Sequence, residues 1–134
     1  MIDLDRIIRA AAQPGIVFTL PLPPRESSPN ARPHHMAKAR AAKAYRAKVR
    51  MLTSSALRGK RPLYPEAMLE LHWIHKTAHR LDSTNAIASF KAGEDGLADA
   101  GLLLNDRGVT WLPVKQSTDK KNPRVILTCY PLCA

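Results

Sequence analysis

Four residues in the second half of the chain combine acidic and basic side chains at suggestive spacings. Asp82 precedes a helix-forming segment, and Asp106 follows the apolar run at residues 102–104. Within the segment, Lys91 and Asp95 lie four residues apart and therefore share a helix face. Carboxylates that converge can hold Mg²⁺, which prefers oxygen ligands, polarises a phosphate and activates water. The residues alone leave a simpler interpretation open, in which Asp82 caps a helix and Asp106 lies in a turn.

The segments that must position these side chains predict an α/β (α+β) domain with a small mixed sheet and two main helices. Residues 35–57 lack Pro and Gly and are rich in strong helix formers. Residues 67–75 alternate in side-chain character, which is typical of a strand. The predicted order is β-α-β-α-β-β, with strands near residues 16–20, 67–75, 109–115 and 124–129, helices over 35–57 and 86–100, and a hairpin loop at 116–122.

The first residues of the chain predict a separate helical arm. Apolar residues recur at helical spacing over residues 2–12, and Pro14-Gly15 ends that pattern. We therefore divide the chain into an N-terminal arm at residues 1–15 and a main domain at residues 16–134.

The net charge of +10 lies within residues 25–61, which hold eleven cations and a single acid, Glu26. The remainder of the chain is neutral. A concentrated patch favours a polyanion such as nucleic acid, because each cation that neutralises a phosphate releases counterions. The alternative is a solvated helix face.

In the helix predicted over 35–57, one stripe is apolar and the opposite face is basic. The stripe comprises Ala41, Tyr45, Val49, Leu52 and Ala56, and the basic face comprises Arg40, Lys43, Arg46 and Arg50.

Several classes of protein are excluded by length and composition. The 134 residues suit one domain, and no stretch approaches the ~18 apolar residues of a membrane span. Acids stand at Asp3 and Asp5, where a signal peptide carries cations. Two cysteines, Cys129 and Cys133, are too few for a disulfide framework, which favours a reducing compartment. The sequence therefore predicts a cytoplasmic protein with no membrane partner.

The run from residue 80 to residue 106 resembles the core of the RusA family of small Holliday junction resolvases, which are common in phages and prophages. The family pattern is an Arg-rich lead-in, Asp-x-Asp-Asn, a helix with a Lys, Asp-Gly-Leu-x-x-Ala-Gly and an Asp-Asp pair. The matching residues here are Arg80-Leu81-Asp82-Ser83-Thr84-Asn85, Lys91, Asp95-Gly96-Leu97-Ala98-Asp99-Ala100-Gly101 and Asn105-Asp106. Segments 18–24, 44–46 and 114–127 are also similar, so the resemblance covers residues 16–127.

This resemblance implies a homodimeric, Mg²⁺-dependent endonuclease, with Mn²⁺ as a possible substitute, that resolves four-way DNA junctions by paired nicks in recombination and repair. It also implies a phage- or prophage-encoded protein in a bacterial host. Carried over by position, Asp82 and Asp106 are catalytic and metal-binding, and Asp95 is a further ligand. Thr84 and Asn105 stand where the family has acids, and their oxygens could help to fill the metal shell. A weakened or inactive relative that only binds DNA structures is therefore the alternative.

Lys91 and the cations complete the predicted site. The Lys91 ammonium would stabilise charge on the transition state or the leaving oxygen. Its simpler interpretation is an ion pair with Asp95, worth only ~0.3–0.5 kcal/mol if exposed. The residues expected to hold DNA phosphates are Arg40, Lys43, Arg46, Arg50 and Arg80. A ribosomal-type RNA-binding protein would share this size and charge, although nothing in the chain points to it specifically.

Overall fold

Strands and helices alternate along most of the chain in the computed structural model, which describes residues 3–132. The predicted α+β class with a mixed sheet is confirmed. In chain order the helices and strands are α1 (Leu4–Ala11), β1 (Ile16–Leu20), α2 (His35–Ala56), β2 (Ala67–His75), α3 (Ser83–Ser89), α4 (Lys91–Asp99), β3 (Val109–Trp111), β4 (Lys115–Thr118) and β5 (Arg124–Pro131). Two short 3₁₀ turns, Arg25–Ser27 and Asp106–Gly108, lie between them. Among these residues, no helix is both long and apolar enough to cross a bilayer.

Strand β2 organises the five-stranded sheet. It pairs antiparallel with β5, with Leu71 opposite Leu127, and β5 pairs antiparallel with β1. The other edge of β2 carries β3 and then β4, both parallel. Two expectations were therefore wrong: residues 109–115 are not one strand, and the last two strands do not form a hairpin. Pro113, which has no N–H to donate, interrupts the ladder between β3 and β4, and β4 and β5 then take opposite edges of β2.

Helix α2 confirms the predicted helix and most of its buried stripe. Tyr45 and Val49 are buried as expected, but Thr53 rather than Ala56 continues the buried face toward the C-terminus. The Tyr45 hydroxyl donates to the Pro21 carbonyl oxygen at 2.7 Å. Helix α2 is thereby held to the segment that follows β1, and the side of the helix that carries Arg40 and Lys43 is exposed.

The predicted helix over 86–100 is two helices, because the chain breaks at Phe90. Phe90 adopts φ −90° and ψ 3°, and its N–H is shared between the Ala86 and Ile87 carbonyls. Its ring is fully buried and meets Tyr45 and Trp111 edge-on, at centroid distances of 6.2 and 6.1 Å. The Phe90 ring is buried where the chain changes direction between α3 and α4, and α4 then packs against α2.

Helix α4 lies against α2 at very short range through Gly96. A Cβ atom at this position would stand 2.6 Å from the Arg46 carbonyl oxygen and 3.0 Å from the Val49 Cβ. Only glycine permits this approach. The glycine of the Asp-Gly-Leu motif therefore sets the distance between the basic helix and the helix that carries Lys91 and Asp95.

The N-terminal helix packs against the sheet. Ala10 is buried and Ile7 half-buried against Met68 and Leu132. Of the two cysteines, Cys133 lies outside the described residues. Cys129 is a buried free thiol, and burial raises its pKa to about 12.

Candidate active site

One lysine brings two of the predicted carboxylates together. Lys91 Nζ lies 3.2 Å from Asp95 Oδ1, one turn along α4, and 3.0 Å from Asp106 Oδ2. Partial burial lowers the pKa of Lys91, but hydrogen bonds to Asp106 and Asp95 outweigh this effect and raise it. The same hydrogen bond lowers the pKa of Asp106. The contact therefore favours the charged forms of Lys91 and Asp106, and the Lys91 ammonium pairs with both acids.

The segment after α4 explains why Asp106 reaches Lys91. Leu102 and Leu103 are buried, and their backbone pairs with Tyr64: Tyr64 N–H donates to Leu102 O at 3.0 Å and Leu104 N–H to Tyr64 O at 2.9 Å. The predicted apolar run thus anchors the turn that starts at Asp106. Asn105 Oδ1 accepts the Arg107 N–H at 2.9 Å, which caps this turn.

A third acid, Glu94, belongs to the same cluster and received no role from the sequence. It is only 8% exposed. Burial raises its pKa, Lys91 opposes that shift, and the charges of Asp106 and Asp95 add to it, while a hydrogen bond with Trp111 lowers the pKa. The available signal was its position three residues after Lys91 on one helix face. Its hydrogen-bond partner Trp111 comes from β3 and is remote in sequence.

Asp82 lies at the N-cap of α3, yet its side chain makes no capping hydrogen bond. It is exposed, and within residues 3–132 its carboxylate has no hydrogen-bond or ion-pair partner. The simple capping interpretation therefore does not describe its side chain. Only its main-chain oxygen takes part in the helix, accepting the Ala86 N–H at 2.9 Å. Thr84, in the first turn of α3, is exposed as well.

Gln116 positions the segment that leads to Asp82 and was not foreseen. Its side-chain amide donates to the Leu81 carbonyl and accepts the Leu81 N–H, each at 2.8 Å. Gln116 Oε1 also lies 2.8 Å from His75 Nε2. This side chain replaces a strand partner for Leu81 and joins the start of α3 to the sheet.

A divalent ion such as Mg²⁺ needs several oxygen donors that meet at one point. In the described part of the chain, no three acidic, imidazole or thiol groups converge as metal ligands. Asp95 and Asp106 nevertheless reach one cation, the Lys91 ammonium, so both can reach a metal in its place. The Lys91 side chain is 53% exposed and can rotate away. The pair Asp95–Asp106 therefore fits a cation, while the Asn105 side-chain oxygen is already engaged by Arg107.

Two of the cations expected to hold DNA phosphates are used within the protein. Arg46 donates to both Asp99 oxygens, at 2.6 and 2.8 Å, which lowers the pKa of Asp99 and joins α2 to α4. Arg80 donates to Thr118 Oγ1 at 3.1 Å and to the His79 carbonyl at 2.9 Å. Three of the expected cations are exposed and form no ion pair within residues 3–132: Arg40, Lys43 and Arg50.

No protein-family model matches this chain, and no curated protein matches it either. What the site does is therefore inferred from its own residues. Their arrangement is a cation-holding pair of carboxylates with a lysine, next to a helix that exposes several unpaired positive charges.

Proposed function

We propose that this protein is a Mg²⁺-dependent endonuclease that resolves four-way DNA junctions by paired nicks. The observation that carries the proposal is the convergence of Asp95 and Asp106 on Lys91, on a helix packed against the basic helix α2. Carboxylates suit a metal, and exposed cations suit phosphates, so the two halves of a phosphodiesterase site lie side by side. The resemblance of residues 80–106 to the RusA family supports the same assignment.

In this proposal Asp95 and Asp106 hold the ion, with Asp82 and Thr84 as further candidate ligands. Mg²⁺, or Mn²⁺ in its place, would polarise the phosphate and lower the pKa of a bound water. Lys91 then leaves its two carboxylates and directs its ammonium to the phosphate, where it stabilises the developing negative charge. Gln116 keeps the start of α3, and with it Asp82, attached to the sheet.

The DNA would lie across α2, with Arg40, Lys43 and Arg50 on its phosphates. Such contacts hold the backbone without reading bases, which suits recognition of a branched shape. Two symmetric nicks need two sites, and a twofold homodimer is the commonest arrangement that supplies them. The setting would be recombination or repair in the cytoplasm of a bacterial host, with the gene on a phage or prophage.

The decisive experiment compares a synthetic four-way junction with a linear duplex of the same sequence, each incubated with the protein and Mg²⁺. We expect paired nicks in opposite strands of the junction, no cleavage of the duplex, and no cleavage of either in EDTA. Denaturing electrophoresis of end-labelled strands measures the products. If the junction is bound but stays intact in both Mg²⁺ and Mn²⁺, the nuclease assignment is wrong.

A junction-binding protein without cleavage is the second candidate. It is favoured by the Lys91 ammonium, which already pairs with both Asp95 and Asp106, and by Thr84 and Asn105 in place of acids. Calorimetric titration with Mn²⁺ separates the two functions, because only the nuclease needs to take up metal at these carboxylates. Cleavage gained by Thr84→Asp in an inactive parent would support the binder as well.

The salt dependence of junction binding should distinguish free cations from engaged ones. Lys43 has no ion-pair partner within residues 3–132, whereas Arg46 is held by Asp99. We expect Lys43→Gln to reduce the slope of log K against log[salt] by about one, since one fewer phosphate is neutralised. Arg46→Gln removes the same charge and is the matched control, with a smaller change in slope. Anisotropy titrations at several salt concentrations measure both, and equal changes would contradict this division.

A further inference from the structure

A cleft beside Lys91 and Asp95 extends to residues that have no part in the function described so far. It consists of two neighbouring cavities of about 340 and 420 Å³, and Ser89 lines both. The smaller cavity reaches Lys38, Lys91 and Asp95, and the larger one reaches Trp73. The cleft therefore leads from the predicted catalytic residues into an apolar part of the molecule.

Ser89 connects the two cavities of this cleft. The residue is only 5% exposed, and its hydroxyl makes no hydrogen bond within residues 3–132. Because Ser89 lines both cavities, its hydroxyl is free to hydrogen-bond a molecule that occupies them.

The two cavities differ in chemistry in a way that fits one molecule with two unlike ends. Lys38 and Lys91 line the smaller cavity, and their ammonium groups could hold a phosphate there once Lys91 leaves Asp95 and Asp106. The larger cavity is lined mainly by apolar groups, among them Trp73 and Leu81, with Arg25 and Asn30 able to hydrogen-bond. Its volume lies within the roughly 300–1,000 Å³ of small-molecule sites. An apolar slot with a few polar groups next to a phosphate site suits a nucleobase.

We propose that this cleft binds a single unpaired nucleotide of the DNA substrate. The base enters the larger cavity, Lys38 and Lys91 hold its phosphate, and the neighbouring phosphodiester lies at Asp95. The inference rests on the proposed function and names the part of the substrate that the site takes. Extruding a base costs a few kcal/mol from an intact duplex and least where pairing is already disturbed, as at the exchange point of a junction.

The test uses the full-length protein in EDTA, so that binding is separated from cleavage. The probe is a four-way junction with 2-aminopurine at the exchange point and fluorescein at the end of one arm. Anisotropy of fluorescein reports binding, and 2-aminopurine emission reports loss of base stacking. We expect a severalfold change in emission on binding, and no change when 2-aminopurine is moved to the middle of an arm.

Variants locate the base in the cleft. Ala31→Leu, in the wall of the larger cavity, should remove most of the emission change and weaken junction binding severalfold. Ala88→Leu, at an exposed position in the smaller cavity, is the second variant should Ala31→Leu fail to fold. Ala11→Leu makes the same substitution at an exposed position on α1 and should change neither signal.

Three outcomes overturn the inference. Junction binding with unchanged emission at every exchange-point position would mean that no base enters the cleft, and it would leave the proposed function standing. An emission change that survives both cleft variants would place the base elsewhere. Absence of junction binding would overturn the proposed function and this inference with it.

Discussion

If the proposed function holds, we expect Asp106→Asn to lower the rate of junction cleavage about 10³-fold or more, because the metal would lose a charged ligand whose interactions are worth several kcal/mol. Asp106 is exposed and pairs with Lys91 at 3.0 Å, so the substitution removes charge at the site without opening a cavity in the core. Junction binding should stay within about twofold of wild type, because loss of one acid does not remove any phosphate contact. Asp82→Asn should behave in the same way, since its carboxylate is exposed and unpartnered within residues 3–132.

Single-turnover cleavage of a labelled junction, with anisotropy for binding, measures both effects. Asp119→Asn is the matched control, because Asp119 also pairs with one cation, Arg124 at 3.0 Å, in the turn between β4 and β5. It should cut at the wild-type rate. If Asp106→Asn and Asp82→Asn also cut at that rate, the catalytic residues lie elsewhere. If only Asp106→Asn is impaired, Asp82 leaves the proposed ligand set, and the pair with Asp95 remains.

Phe90→Ala should have the largest effect on stability, a loss of about 3–5 kcal/mol in the free energy of unfolding. The Phe90 ring is fully buried at the joint between α3 and α4, where it contacts Tyr45 of α2 and Trp111 of β3. Its removal leaves a cavity that three separate elements border, and a rigid core closes such cavities only in part. Gly93 also lies against this ring, with a hypothetical Cβ 2.5 Å from it.

Urea-induced unfolding followed by far-ultraviolet circular dichroism measures this loss. Leu4→Ala is the control, because Leu4 is 67% exposed on α1 and its truncation should change stability by less than about 0.5 kcal/mol. Phe90→Leu keeps much of the volume and should lie between the two. A loss below about 1 kcal/mol for Phe90→Ala would show that the joint repacks without the ring.

Local features were the ones that the sequence predicted well. Helix α2 follows from a long run of strong helix formers, and the Lys91–Asp95 pair follows from a spacing of one helical turn. Strand β2 follows from alternation, although Met68 and Ile74, on the face opposite Leu71, are buried as well. Each of these depends on residues that are neighbours in the chain, so spacing alone determines which side chains meet.

Contacts between distant segments were the ones that the sequence did not predict. Arg46 was expected to face DNA, but Asp99 on α4 takes up its guanidinium. Glu94 is buried, and its hydrogen-bond partner Trp111 comes from β3. The last two strands were expected to pair as a hairpin, yet both pair with β2. In each case the partner lies far along the chain, and competing pairings have the same local pattern.

The sequence by itself determined that the protein is an α+β domain with a basic helix and a lysine–aspartate pair one turn apart. Only the tertiary structure decided which charges stay free, because that depends on how closely α2 and α4 approach. At Gly96, helix propensity favours Ala by about 1 kcal/mol, but the backbone of α2 leaves no room for its Cβ. The close approach that Gly96 allows lets Arg46 of α2 form an ion pair with Asp99 of α4. Lys91 pairs with Asp95 and Asp106 instead.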